Sequence, residues 1–401
     1  MNTKSRRLSL VAGAVVLSLT AAACGSSSSS SDSTATTAAA AETTAAAAAE
    51  TTAAAAETTA AAAETTTAPA AGGEMVDASK ITATLNASGA TFPQAFYEEA
   101  IAEFQKSAPN VTINYGGGGS GKGRQDLADQ LVDFAGSDGT AAAEDLPKFK
   151  GGDFLYIPTV LAPITVSYNL DVAGLQLSPT TLAGIFQRTI TKWNDPAIAA
   201  ENTGATLPDT DIVVVHRADG SGTTGNFTKF LDAAVGAGGS GVWTLKSGST
   251  VEWPADTQAG QGNSGVAQIV KDTKGAIGYV DLSDAKASGL TFAKIENKAG
   301  KFVEPTLEAT SAAAANVKVK DDLTFFTGWA DGDTSYPIAA QTWVLVYKKQ
   351  TDKDKALATK AFLQYVLTDG QDLAPSIDFA PLPKDLATKA LAALDTLEIP
   401  S

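Results

Sequence analysis

From about residue 76 onward, short β-rich apolar runs alternate with stretches whose apolar positions recur at helical spacing. The runs at residues 81–85, 111–115, 157–168, 212–215, 276–280 and 342–347 predict strands. Residues 94–106 predict a helix with Tyr97, Ala100, Ile101 and Phe104 on one face, and residues 125–134 another through Leu127, Leu131 and Phe134. Residues 179–186, 265–271 and 355–367 predict three more, and a further helix follows Thr224, with Phe227, Phe230 and Leu231 as its apolar face. Alternating strands and helices argue for α/β domains with mostly parallel sheets, whose ligands sit at the carboxyl ends of strands, near helix N-termini.

Before residue 76 the pattern is different. Lys4, Arg6 and Arg7 precede a short apolar run from Leu8 to Leu19, then the small residues Ala21, Ala22 and Ala23, then Cys24. This reads as an export leader over residues 1–23, too short and wrongly flanked for an ordinary spanning helix. Cys24, the only cysteine, looks like the lipid-bearing cysteine of a bacterial lipoprotein; Ala21 stands where such sites usually carry leucine, so simple cleavage after Ala23 is the alternative. Residues 24–75 form an anchor cysteine and a Ser/Ala/Thr/Glu linker in which Glu42, Glu50, Glu57 and Glu64 are each followed by two threonines. With no large side chain to bury, it reads as a flexible coil with a reach of about 40 Å, or as a helical spacer.

Charge and rare residues narrow the function. The net charge is −15, and removing residues 1–23 takes away three cations and no acid, leaving −18. Broad nucleic-acid binding, or rest on an anionic membrane surface, is excluded by that balance. One cysteine forbids an internal disulfide, and the single histidine, His216, excludes a His-rich metal site and makes a Ser-His-Asp triad a poor bet. Neither metal nor cofactor is expected, and His216 reads as a packing or rim residue.

Four segments carry anion chemistry. Residues 216–224 (His-Arg-Ala-Asp-Gly-Ser-Gly-Thr-Thr) place hydroxyls and free amides at a helix N-terminus beside Arg217, a set suited to a tetrahedral oxyanion. Asp219 lies close enough to orient the guanidinium. Residues 87–93, with Thr91 and Phe92 before Pro93, join a strand to a helix and alone are also an ordinary cap. Residues 115–123 hold four consecutive glycines and Ser120; from Gly116 to Lys122 they nearly match a P-loop, but Gly123 stands where the magnesium-binding hydroxyl belongs. Residues 132–139 place Asp133 and Asp138 nearby. A carboxylate beside an anion is useful only if the ligand carries a proton. Hydrogen phosphate does and sulfate at neutral pH does not, so Asp138 makes a generic cradle phosphate-selective.

Together these segments resemble the phosphate-binding proteins of bacterial high-affinity phosphate ABC transporters, over about residues 82–385. Residues 192–195, 262–265 and 275–280 add structural matches. The resemblance implies a type II periplasmic-binding-protein fold, two α/β lobes with the ligand between them: residues 76–165 and 338–401 in lobe one, 166–337 in lobe two. It implies that inorganic phosphate meets Thr91, Phe92, Ser120 and Asp138 on lobe one, and Arg217, Ser221, Gly222 and Thr223 on lobe two, with Asp219 holding Arg217. It further implies hinge closure, delivery to transmembrane permease subunits, and a monomer lipid-anchored at the outer face of the cytoplasmic membrane. The alternatives are a receptor for sulfate or molybdate, and a phosphoester hydrolase. The second lacks a base or metal to activate Ser221. Lys122 is an extra charge, read as solvent-facing.

Overall fold

The computed structural model describes residues 73–315 and 317–401; the leader, Cys24 and the linker up to residue 72 lie outside the described residues. In chain order the elements are β1 (Ala83–Gly89), α1 (Gln94–Ser107), β2 (Val111–Gly116), α2 (Gly119–Ala128), β3 (Phe134–Ser137), β4 (Phe154–Tyr168), β5 (Gln176–Leu177), α3 (Pro179–Phe186), α4 (Pro196–Glu201), β6 (Val213–Arg217) and α5 (Gly222–Val235). There follow β7 (Gln258–Gly260), α6 (Gly262–Asp272), β8 (Ala276–Asp281), α7 (Leu282–Ala287), β9 (Thr291–Phe292), β10 (Lys294–Glu296), β11 (Phe302–Val303), α8 (Leu307–Ala314), β12 (Ala339–Tyr347), α9 (Lys353–Leu367) and α10 (Lys384–Leu394).

β4 organises the fold because its run of apolar and β-branched residues is buried from Ile157 to its end, as is every residue of β12. The main sheet runs β2-β1-β3-β12-β4-β8-β6-β7, with β9 also on β4, and β11-β10-β5 form a small second sheet. β4 serves two halves: Phe154 to Pro163 pair with β12, and Ile164 to Tyr168 pair with β8. The expectation of mostly parallel sheets holds within each half, where β1 pairs β2 and β3, and β6 pairs β7 and β8. It fails at the centre, where β12 is antiparallel to β3 and β4, and β4 to β8.

The register of β12 shifts between Gln341 and Trp343, so that Thr342 faces two residues of β4, Thr159 and Val160. Such a bulge re-aims side chains, and both Gln341 and Thr342 enter the site described below.

The predicted helix at 125–134 is a misplacement. The helix is Gly119–Ala128, Gln130 at φ 60° ends it, Leu131 lies exposed, and Phe134 opens a strand instead. Apolar spacing ran unbroken from a helix across a turn into β3. Gly119, Gly121 and Gly123 of the glycine-rich segment form the first turns of α2, entered through Gly118 and Gly119 at φ 123° and 89°. A Cβ on Gly119 would lie 2.7 Å from the Gly220 carbonyl, so only glycine lets this turn approach the loop before α5.

Candidate functional site

The carboxyl ends of β1, β3 and β6 converge, and each delivers one predicted segment. After β1, the Phe92 ring is buried and packs edge-on against Phe379, with centroids 6.2 Å apart. That anchor fixes the loop. The main-chain N–H groups of Thr91 and Phe92 bond to no described residue, while Gln94 N donates back to the Thr91 carbonyl. Thr91 Oγ1 accepts from the Asn263 N–H at 3.2 Å, which leaves its own proton to donate elsewhere.

After β3 comes Asp138, 1% exposed. Thr342 Oγ1 donates to its Oδ1 at 2.7 Å and Ser120 Oγ to its Oδ2 at 3.2 Å. The Asp138 carbonyl accepts from Asn226 Nδ2 at 2.7 Å and Gln341 Nε2 at 3.3 Å, and Gln341 also donates to Asn226 Oδ1 at 2.9 Å. Burial pushes the Asp138 carboxyl up to about 6, against the pull of the Thr342 hydrogen bond and the Arg217 charge.

After β6, Arg217 is buried and gripped at both ends by Asp219. Nε donates to Oδ1 at 2.8 Å and Nη2 to Oδ2, a planar fork in which both side chains are nearly inaccessible. Nη1 donates to Asn263 Oδ1 at 3.0 Å and to Thr223 Oγ1 at 3.4 Å. The Gly262 N–H donates to Asp219 Oδ1 at 3.1 Å, and the Arg217 N–H to the Tyr279 hydroxyl at 3.3 Å. Ser221 caps α5 by accepting the Thr224 N–H at 3.1 Å.

The two halves meet here. Ser120 Oγ accepts from Asp138 N and from Gly222 N, both at 3.1 Å, and Gly121 N donates to the Gly220 carbonyl at 2.7 Å. A Cβ on Gly222 would lie 2.6 Å from Asp138 Oδ2, so the approach requires glycine. A cavity of about 440 Å³ opens beside Asp138 and Gly222, lined also by Arg124, Asn226, Lys229 and Trp343.

Every predicted site residue within the described residues is thus drawn into one region, with three amendments: the Ser120 hydroxyl donates to Asp138, the Gly222 N–H donates to Ser120, and the Ser221 amide is also taken. Ser221 cannot offer its amide, because that N–H donates to the Ser249 carbonyl at 2.9 Å; its hydroxyl remains. Lys122 is half exposed and pairs with Asp126 at 2.5 Å. Asp133 is a clamp, accepting from Asn86 N at 2.8 Å and pairing with Lys355 at 3.0 Å. His216 stacks on Trp253, its ring nitrogens bonded to the Arg217 carbonyl and Thr257, and burial lowers its pKa. Among the described residues, no group of three or more His, Cys, Asp or Glu side chains is placed to hold a metal ion.

Sequence reasoning missed Thr342, Gln341, Asn226 and Asn263 as parts of this network. Asn263 lay within a segment already singled out as structural. The others gave no local signal, since they are polar residues inside apolar patterns.

Comparison with known proteins bears on family and fold. A family model described as a PBP superfamily domain matches residues 27–370. The phosphate-binding protein PstS of Pasteurella multocida is 37% identical over 318 residues, covering 78% of this chain and 90% of that protein. That of Methanocaldococcus jannaschii is 38% identical over 346 residues, covering 79% and 87%. In structure, the phosphate-binding protein of Stenotrophomonas maltophilia superposes with a TM-score of 0.62 at 21% identity, covering 78% of this chain and 93% of that one. The fold is the two-lobed α/β fold of periplasmic binding proteins. No helix among the described residues is long and apolar enough to cross a membrane. By identity and coverage, the chain belongs to the PstS phosphate-binding protein family.

Proposed function

We propose that this chain is an extracytoplasmic receptor that binds inorganic phosphate between its lobes and delivers it to the permease subunits of an ABC importer. The observation that carries the reading is the buried Asp138 carboxylate beside the Arg217–Asp219 pair. With all three ionised, these groups sum to one negative charge. Adding an oxyanion next to Asp138 needs a proton at that contact, and hydrogen phosphate brings one where sulfate does not. In this reading Thr91 and Phe92 donate amides, Thr91 donates its hydroxyl, the Ser120 hydroxyl turns from Asp138 to the anion, and Asp138 accepts the phosphate proton in its place. Arg217, oriented by Asp219, makes the charged contact. The Ser221 hydroxyl and Thr223, with the Gly222 N–H exchanging Ser120 for the anion, close the cradle at the favourable end of the α5 dipole.

In this reading the lobe boundaries are at residues 165/166 and 337/338, and the pairing of β4 supports boundaries close to these. Its partner changes from β12 to β8 between Pro163 and Ile164, and Ile164 N donates to the Ile338 carbonyl at 2.9 Å. Phosphate closes the lobes by hinge motion, and the closed form is the one the permease recognises. The chain performs no covalent chemistry: His216 is engaged in packing and Ser221 in capping. It acts as a monomer, tethered by lipid on Cys24 at the outer face of the cytoplasmic membrane; Cys24→Ser is expected to move it from the membrane fraction to the soluble one.

The test is calorimetric titration at pH 7 of the chain from residue 24 carrying Cys24→Ser, freed of phosphate beforehand. Phosphate binding at micromolar concentration or tighter, with sulfate silent, is expected. A folded protein that ignores phosphate contradicts the reading, and equal binding of sulfate or molybdate moves it to the broader oxyanion class.

A further inference from the structure

Asn263, the second residue of α6, is fully buried, and its amide nitrogen Nδ2 has no hydrogen-bond partner among the described residues. Its other polar atoms are committed. Oδ1 accepts from Arg217 Nη1 at 3.0 Å, and the main-chain N–H donates to Thr91 Oγ1 at 3.2 Å. Exchanging the amide O and N would not relieve the orphan. That would set amide hydrogens against guanidinium hydrogens, so the Arg217 contact fixes which atom is which. A buried donor left unmet costs as much as a lost hydrogen bond or more, so Nδ2 calls for an acceptor that the chain itself does not supply.

Resting on the phosphate reading above, we propose that Asn263 Nδ2 is a further donor to the bound phosphate. Asn263 bonds on one side to Thr91 of the first half and on the other to Arg217 of the second. Both are ligands in that reading, so the orphan amide stands beside the cradle where its two walls meet. A phosphate oxygen meets the unmatched donor. Asn263 thereby links Thr91, across the closure, with Arg217 of its own lobe and the anion.

Two measurements on the chain from residue 24 with Cys24→Ser test this. In the ¹⁵N–¹H spectrum, assigned by triple resonance, the Asn263 side-chain amide is expected to shift on adding phosphate. Asn263→Asp keeps the size and the acceptor for Arg217 but replaces the donor with a negative oxygen. It is expected to weaken phosphate binding by about ten- to hundredfold without lowering Tm. An unmoved Asn263 amide in wild-type protein that binds phosphate overturns the proposal, as does Asn263→Asp binding phosphate within about twofold of wild type. Failure of wild type itself to bind phosphate is a different result, overturning the function reading and this inference with it. The spectrum decides the matter even if the variant does not fold.

Discussion

The wall of the cleft built on β1 and β3 and the wall built on β6 bring opposite chemistry to one place. The first offers neutral donors around an acceptor, Asp138, held by Thr342 and Ser120. The second offers a guanidinium, held by Asp219, over the start of α5. In the proposed function, charge and proton-reading therefore sit on different halves, and neither half alone completes the cradle. In a protein of strongly negative net charge, attraction acts only at short range. On the proposed reading, full affinity thus depends on closure, while discrimination belongs to one residue of one wall.

That division can be broken most severely at Arg217. Arg217→Ala is expected to weaken phosphate binding about a thousandfold, since it removes the charged contact and leaves Asp219 buried without its partner. It should also lower Tm. The ratio of phosphate to sulfate affinity should change far less, because Asp138 is untouched. Arg217→Lys should recover only part of the loss, a point charge being no substitute for the fork held by Asp219. Titration calorimetry checks all three.

Asp138 gives the next largest effect, read in stability. Its carboxyl is raised from 3.8 to about 6 in the folded chain, so the folded state favours the protonated form. The stability this provides is present below about pH 4 and lost as pH rises through about 6, a change of about 3 kcal/mol. Asp138→Asn should remove that part of the pH dependence, which denaturant unfolding at pH 4 and pH 7 without phosphate measures directly.

Gly222→Ala attacks the meeting of the walls rather than either wall. The new methyl would contact the Asp138 side chain and the Ser120 hydroxyl, and overpacking of this kind is expected to weaken phosphate binding about ten- to hundredfold. Small-angle scattering should show compaction only at correspondingly higher phosphate. The smallest effect is expected at Lys122. It is half exposed and paired with Asp126, so Lys122→Ala should change affinity by less than about twofold.

The sequence made the β6 wall easier to read than the other. Arg217, Asp219, Ser221 and Thr223 are neighbours along the chain, so their chemistry shows in nine residues. The β3 wall is assembled from distance: Asp138 owes its environment to Thr342, which a register shift in β12 turns toward it. A shift of register leaves no mark in an apolar strand pattern. The same limit applies to α2, whose glycines read as a loop and fold as a helix because small residues were needed where it meets Gly220. The alternation of strands and helices was legible because apolar spacing encodes it. The antiparallel centre was not, because it depends on where β12 returns. Asn263 could have been found by asking which polar residue its glycine-flanked segment buries.

The proton-reading role of Asp138 is the central claim, and competition calorimetry at pH 8 with phosphate and sulfate, on wild type and Asp138→Asn, tests it most directly. The account predicts that wild type takes phosphate and rejects sulfate, whereas Asp138→Asn, with an amide able to donate to either anion, loses most of that discrimination. Unchanged discrimination in Asp138→Asn would contradict it.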